Sequence, residues 1–134
     1  MSEASASGPN GAPGFAKYPG HRIMVKPSGA HVQVTYRGEV IADTRDAVAL
    51  EEAAGGSTVA PTVYYIPRKD VRMERLARTT HTTYCPFKGH ASYYSIQGGP
   101  ENAVWSYEQP YDEMAVIKDL VAFYPDKVDS IRAG

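Results

Sequence analysis

Cys85 is the residue of this sequence best placed to do chemistry. It stands in Tyr84-Cys85-Pro86-Phe87-Lys88-Gly89, where Pro86 and Gly89 shape a tight loop. The thiolate, rather than the thiol, is the nucleophile, and an ammonium such as that of Lys88 favours it. His81 or His90 would supply a base if the loop folds either one back. Lys88 or Arg68 would stabilise a developing negative charge. The same loop is compatible with Cys85 as a small buried hydrophobe, with Pro86 and Gly89 only shaping a turn. The spacing His81-x3-Cys85-x4-His90 offers three metal ligands. Closed zinc sites are usually cysteine-rich with paired short spacings, however, and both features are missing. No metal or other cofactor is therefore expected.

Arg68 and Asp70 follow a strand and Pro67, a place from which side chains are often aimed into a cleft. Arg68 could clamp a carboxylate or phosphate with two parallel hydrogen bonds. Asp70 could act as a base, or simply pair with Arg68 and pin the loop to the sheet. Trp105 and Tyr107 share one face of a strand, as do Ala91 and Tyr93 on its neighbour. With Tyr84 they could line a pocket for a flat or apolar ligand, or form plain core. Arg68, Lys69, Arg72, Arg75 and Arg78 make the one basic run. No aromatic residue is interleaved with it, and such a run is usually a solvated face.

The elements that must position these residues read at period two. Ile23 and Val25 begin a strand, and Val32, Val34 and Tyr36 alternate with polar neighbours in another. Arg37-Gly38 leads into Glu39–Ala42 as a hairpin. Residues 47–54 would tolerate a helix on propensity, but Gly55-Gly56 cuts the segment short, so 47–51 reads as strand. Thr62–Ile66 is a strand bounded by prolines. Residues 68–78 read as a charged turn or short helical turn. Ala91–Ile96 and Ala103–Glu108 are two further strands, with Tyr94 and Ile96 as core. Asp112 could cap a short helix that places Met114, Ile117 and Val121 on one side. Val121–Tyr124 could instead close the sheet.

The bulk composition narrows the class. The chain of 134 residues suits one domain, and 10 tyrosines suit half-buried strand faces and pocket walls. A net charge of -1 argues against a dedicated nucleic-acid binder. One cysteine excludes an intrachain disulfide and fits a reducing, cytoplasmic compartment. No apolar run approaches the ~20 residues of a membrane helix, so no membrane partner is expected. Residues 1–14 are dominated by Ser, Ala, Gly and Pro and read as a flexible tail, followed by one domain over 15–134.

Four spaced stretches are distinctive together: Tyr64–Val71, Thr83–Gly89, Asn102–Tyr107 and Val121–Tyr124. In this order they resemble the domain-of-unknown-function family 427, over roughly Ile23 to Val128. That family is sometimes filed under a nucleotidyltransferase heading. Such an activity holds its metals with two carboxylates at Asp-x-Asp or Asp-x-Glu spacing after a Gly-Ser pair. The chain has Gly56-Ser57 but no such pair downstream, so the heading does not carry over.

The expectation is thus a mainly β, single compact domain of six to eight mostly antiparallel strands. They would form a curled sheet or two packed sheets with at most one or two short helices. Its conjectured site is a small-molecule pocket around Arg68, Asp70, Cys85, Lys88 and Trp105, with Tyr84, Tyr93 and Tyr107 as further ligand contacts. Cys85, Lys88 and Asp70 would carry any cysteine-dependent chemistry. The alternative is a non-enzymatic binding or protein-interaction module in which Cys85 is structural.

Overall fold

The period-two segments become strands in the tertiary structure, a computed structural model that describes residues 10–134. Among the described residues the helix α1 (Pro13–Lys17) precedes eleven strands. These are β1 (His21–Pro27), β2 (Val32–Tyr36), β3 (Glu39–Thr44), β4 (Val48–Ala54), β5 (Ser57–Thr58), β6 (Val63–Tyr65), β7 (Leu76–Cys85), β8 (Gly89–Ile96), β9 (Val104–Ser106), β10 (Val121–Phe123) and β11 (Ser130–Ala133). Short 3-10 turns occupy Arg68–Asp70, Met73–Arg75, Asp112–Ile117 and Pro125–Lys127. The fold is mainly β, as expected, and forms a single compact domain. No described helix is long and apolar enough to cross a membrane.

The strands make three antiparallel sheets. In the first, β4 pairs β1 along one edge, and β6 and β5 along the other. The second runs β11-β2-β3 and the third β10-β9-β8-β7. The third sheet is apolar on both faces, because adjacent residues of its strands point opposite ways. Tyr94, Ile96, Val104, Val121 and Phe123 meet Val32, Val34 and Ile41 of the second sheet in one core. Ala91, Tyr93, Tyr107 and Ala122 meet Ile23, Leu50 and Tyr65 of the first sheet in the other. An isolated pairing of Ile66 with Val121 ties the first sheet to the third.

Several local expectations are revised. Strands outnumber six to eight because two-residue β5, C-terminal β11 and the whole of β7 escape the pattern. β7 is an edge strand with mostly exposed Thr, Arg and His side chains, so it shows no apolar alternation. Its pairing with β8 shifts register between Arg78 and Thr82. The reading of 47–51 as strand holds and extends to Ala54, since β4 (Val48–Ala54) is the central strand of its sheet. The Asp112 helix is a 3-10 turn with Tyr111 at its N-cap and no side-chain cap. Val121 does not continue it: Asp119 adopts φ +65°, and the chain turns into β10, which closes the third sheet. Of the expected tail, residues 1–9 lie outside the described residues. Residues 10–14 are packed: Ala12 is fully buried, and Ala12 N–H donates to Glu113 Oε1 at 2.9 Å.

Candidate functional site

The alternation of the third sheet divides the expected site residues between two faces. Ser92, Tyr94 and Ser106 point to the side of Arg68. Tyr93, Trp105 and Cys85 lie on the other side, packed with the second core. Arg68 and Cys85 thus lie on opposite sides of this sheet.

On the first face, Arg68 serves the sheet. Its Nε donates to the Asp119 carbonyl at 2.6 Å, and its terminal nitrogens donate to Tyr94, Ser106 and Glu108, each at 3.0 Å. Arg78 grips the same Glu108 with bonds of 2.8 and 2.7 Å, the bidentate geometry that guanidinium favours. Hydrogen bonding from Arg78, and then from Arg68, holds the Glu108 carboxyl down to about 2. Asp70 does not pair with Arg68. It accepts from the Thr44 hydroxyl at 2.6 Å and from Lys69 at 3.1 Å. The Thr44 bond, with Lys69, holds its carboxyl below the ordinary carboxylate range. A group so held is a poor general base at neutral pH. Most of the basic run is likewise engaged: Arg72 and Arg75 both pair with Glu39, and Lys69 reaches Asp46 and Asp70.

On the second face, Cys85 ends β7 half-buried against the second core. Its loop is clamped from two sides, by Gly14 N–H on the Pro86 carbonyl at 2.9 Å and Tyr111 N–H on the Lys88 carbonyl at 3.0 Å. Lys88 is buried, and its ammonium donates to Glu52 Oε1 at 2.6 Å. Glu52 Oε2 meets His21 Nε2 at 2.9 Å, and the His21 ring stacks on Phe87 at 4.1 Å. Burial pushes the Glu52 carboxyl up, but Lys88 and His21 outweigh it and hold it below its ordinary value. Lys88 is therefore engaged with a carboxylate. His90 lies beside Tyr84, which is exposed, with ring centroids 4.8 Å apart; His81 packs on Tyr93 at 4.6 Å. Among the described residues no three potential ligands converge on a metal position.

The aromatic residues do converge. Trp105 Nε1–H donates to the Tyr65 hydroxyl at 3.1 Å, and its ring lies 4.5 Å from that of Tyr124. Tyr93 and Tyr124 share a hydroxyl contact of 3.3 Å, and Thr83 reaches Tyr93 at 3.0 Å. Burial pushes the Tyr65 and Tyr107 phenols well above their ordinary value, so both stay protonated. Trp105 and Tyr124 also wall a cleft of about 370 Å³, which Val63 and Tyr64 of β6, Pro61 just before it and Phe123 of β10 bound. Ala122 stands directly across from Trp105 in the register.

Of the expected site residues, the structure gathers Tyr93, Trp105 and Tyr107 with Cys85 and Lys88 on one side, and separates Arg68 and Asp70. Only Trp105 of these lines the cleft. Glu108, Glu52, His21, Tyr65 and Tyr124 were not expected. Strand alternation over 103–108 could have shown that Ser106 and Glu108 oppose Trp105 and Tyr107. Nothing local could have paired Glu52 with Lys88, 36 residues apart. A family model described as Domain of unknown function (DUF427) matches residues 24–134. No curated protein matches the chain.

Proposed function

We propose, from the premise that the chain belongs to the DUF427 family, that the protein is a non-catalytic binding module for a small, flat, largely apolar molecule. The ligand occupies the cleft walled by Trp105, Tyr124 and Tyr64. The observation that supports this reading is the cleft itself: about 370 Å³ in volume, lined almost wholly by apolar and aromatic side chains. Ligand sites are typically concave, mostly apolar spaces of this order. The bond from Trp105 to Tyr65 holds the indole in one orientation without consuming its face.

Cys85 has a structural role on this reading. Its loop is clamped, and the ammonium that would activate it is engaged with Glu52. Lys88 and Asp70 then act as charge partners within the fold. The lone cysteine supports a cytoplasmic setting.

Trp105 is the only tryptophan, so its indole N–H gives one isolated resonance that reports on the cleft. Titration with benzyl alcohol and with indole should shift that resonance saturably. Val63→Phe, which fills the cleft, should abolish the shift, and Cys85→Ser should alter stability while leaving the affinity unchanged. A resonance indifferent to every probe would sink the proposal, as would an affinity that Cys85→Ser removes from a folded protein.

A further inference from the structure

Ile66, the residue after β6, shares one isolated backbone pairing with Val121 of β10. Ile66 N–H donates to the Val121 carbonyl at 2.8 Å and Val121 N–H to the Ile66 carbonyl at 2.9 Å, a single antiparallel rung. Such rungs recur every second residue along both strands. In one direction the next pair is Arg68 and Asp119, and there the Arg68 side chain takes the Asp119 carbonyl at 2.6 Å. In the other direction it is Tyr64 and Phe123, and both line the cleft.

Backbone groups alternate sides along a strand. Because Ile66 faces β10, Tyr64 faces it too, while Val63 and Tyr65 turn toward β4. Because Val121 faces β6, Phe123 does as well, while Ala122 turns toward β9. The N–H and C=O groups of Tyr64 and Phe123 are thus directed at one another across the opening. Among the described residues neither makes a backbone bond across it. Backbone polar groups in an apolar setting are nearly always paired, and no side chain lining this cleft is charged.

We propose that the cleft selects a trans secondary amide carrying apolar substituents, the chemistry shared by a peptide bond and an N-acyl amine. A trans amide points its N–H and C=O in opposite directions, so one such group can serve both strand edges at once. Its N–H donates to the carbonyl of one edge and its C=O accepts from the N–H of the other. An apolar substituent then lies against Trp105 and Tyr124. The inference rests on the cleft being the ligand site, and adds the hydrogen-bond requirement that apolar lining alone would not impose.

N-butylbenzamide and butyl benzoate have nearly the same shape, and the ester lacks the N–H. Both are titrated into the wild-type protein, read by the Trp105 indole resonance and by hydrogen exchange at the Tyr64 and Phe123 amides. The amide should bind about tenfold more tightly, the size expected for one hydrogen bond that leaves a partner unmet when lost. It should also slow exchange at one or both of those amides. Equal affinity for ester and amide, with exchange unchanged, overturns the amide requirement and leaves the apolar site standing. No binding of either probe, nor of indole, overturns both.

Discussion

Arg68 illustrates how a residue with the chemistry of a ligand clamp can be consumed by its own fold. All three guanidinium nitrogens are occupied by groups on the third sheet and the turn before β10. Glu108 is the counterpart on which Arg68 and Arg78 converge. Its folded value of about 2 lies below the ordinary value of 4.5. The stabilisation this represents is complete above the ordinary value and is lost as pH falls from about 4.5 toward 2. Glu108→Gln should therefore cost about 2 kcal/mol at pH 7, the scale of charge-assisted hydrogen bonds. Its cost should shrink toward zero at the acid end of that window. Urea unfolding of both proteins at pH 7 and pH 3 measures the difference, and an equal cost at both values would show that charge is not the cause.

At the scale of elements, the turn joining β7 to β8 is set by Gly89 rather than by Cys85. Gly89 adopts φ +113°, a conformation that L side chains rarely reach, and an added Cβ would stand 3.3 Å from the Gln109 carbonyl oxygen. Gly89→Ala should thus destabilise the protein by roughly 1–3 kcal/mol through backbone strain. The same substitution at Gly99 meets a different obstacle, the Tyr36 hydroxyl, at ordinary backbone geometry. A Gly89→Ala variant as stable as wild type in thermal unfolding would show that the turn relaxes freely. The turn was legible in the sequence because Pro and Gly act locally. β7 was not, because an exposed edge strand needs no apolar face and its identity comes from pairing with β8.

Across the whole molecule, the third sheet separates two cores, and the N-terminal segment completes one of them. Phe15 is buried against Phe87, with ring centroids 5.0 Å apart in an edge arrangement. Phe15→Ala should cost about 3 kcal/mol, as expected for truncating a buried aromatic side chain. Its effect on a thermal melt will separate real packing from incidental contact; an unchanged midpoint would mean that residues 10–17 contribute nothing to the core. The sequence by itself determined the class of fold, because period-two alternation, β-branched residues and proline boundaries act over a few neighbours. It also marked Tyr94 and Ile96 as core, and left Trp105 open between pocket wall and plain core. Only the tertiary structure decided which of these residues meet. One step along a strand reverses a side chain, so Ser106, which Arg68 grips, and Trp105, on the side of Cys85, came to opposite sides of one sheet. Lys88 met Glu52, and a cleft formed beside β6 and the end of β10, through sheet order and register. Those are set by burial summed over the whole chain, which no local window contains.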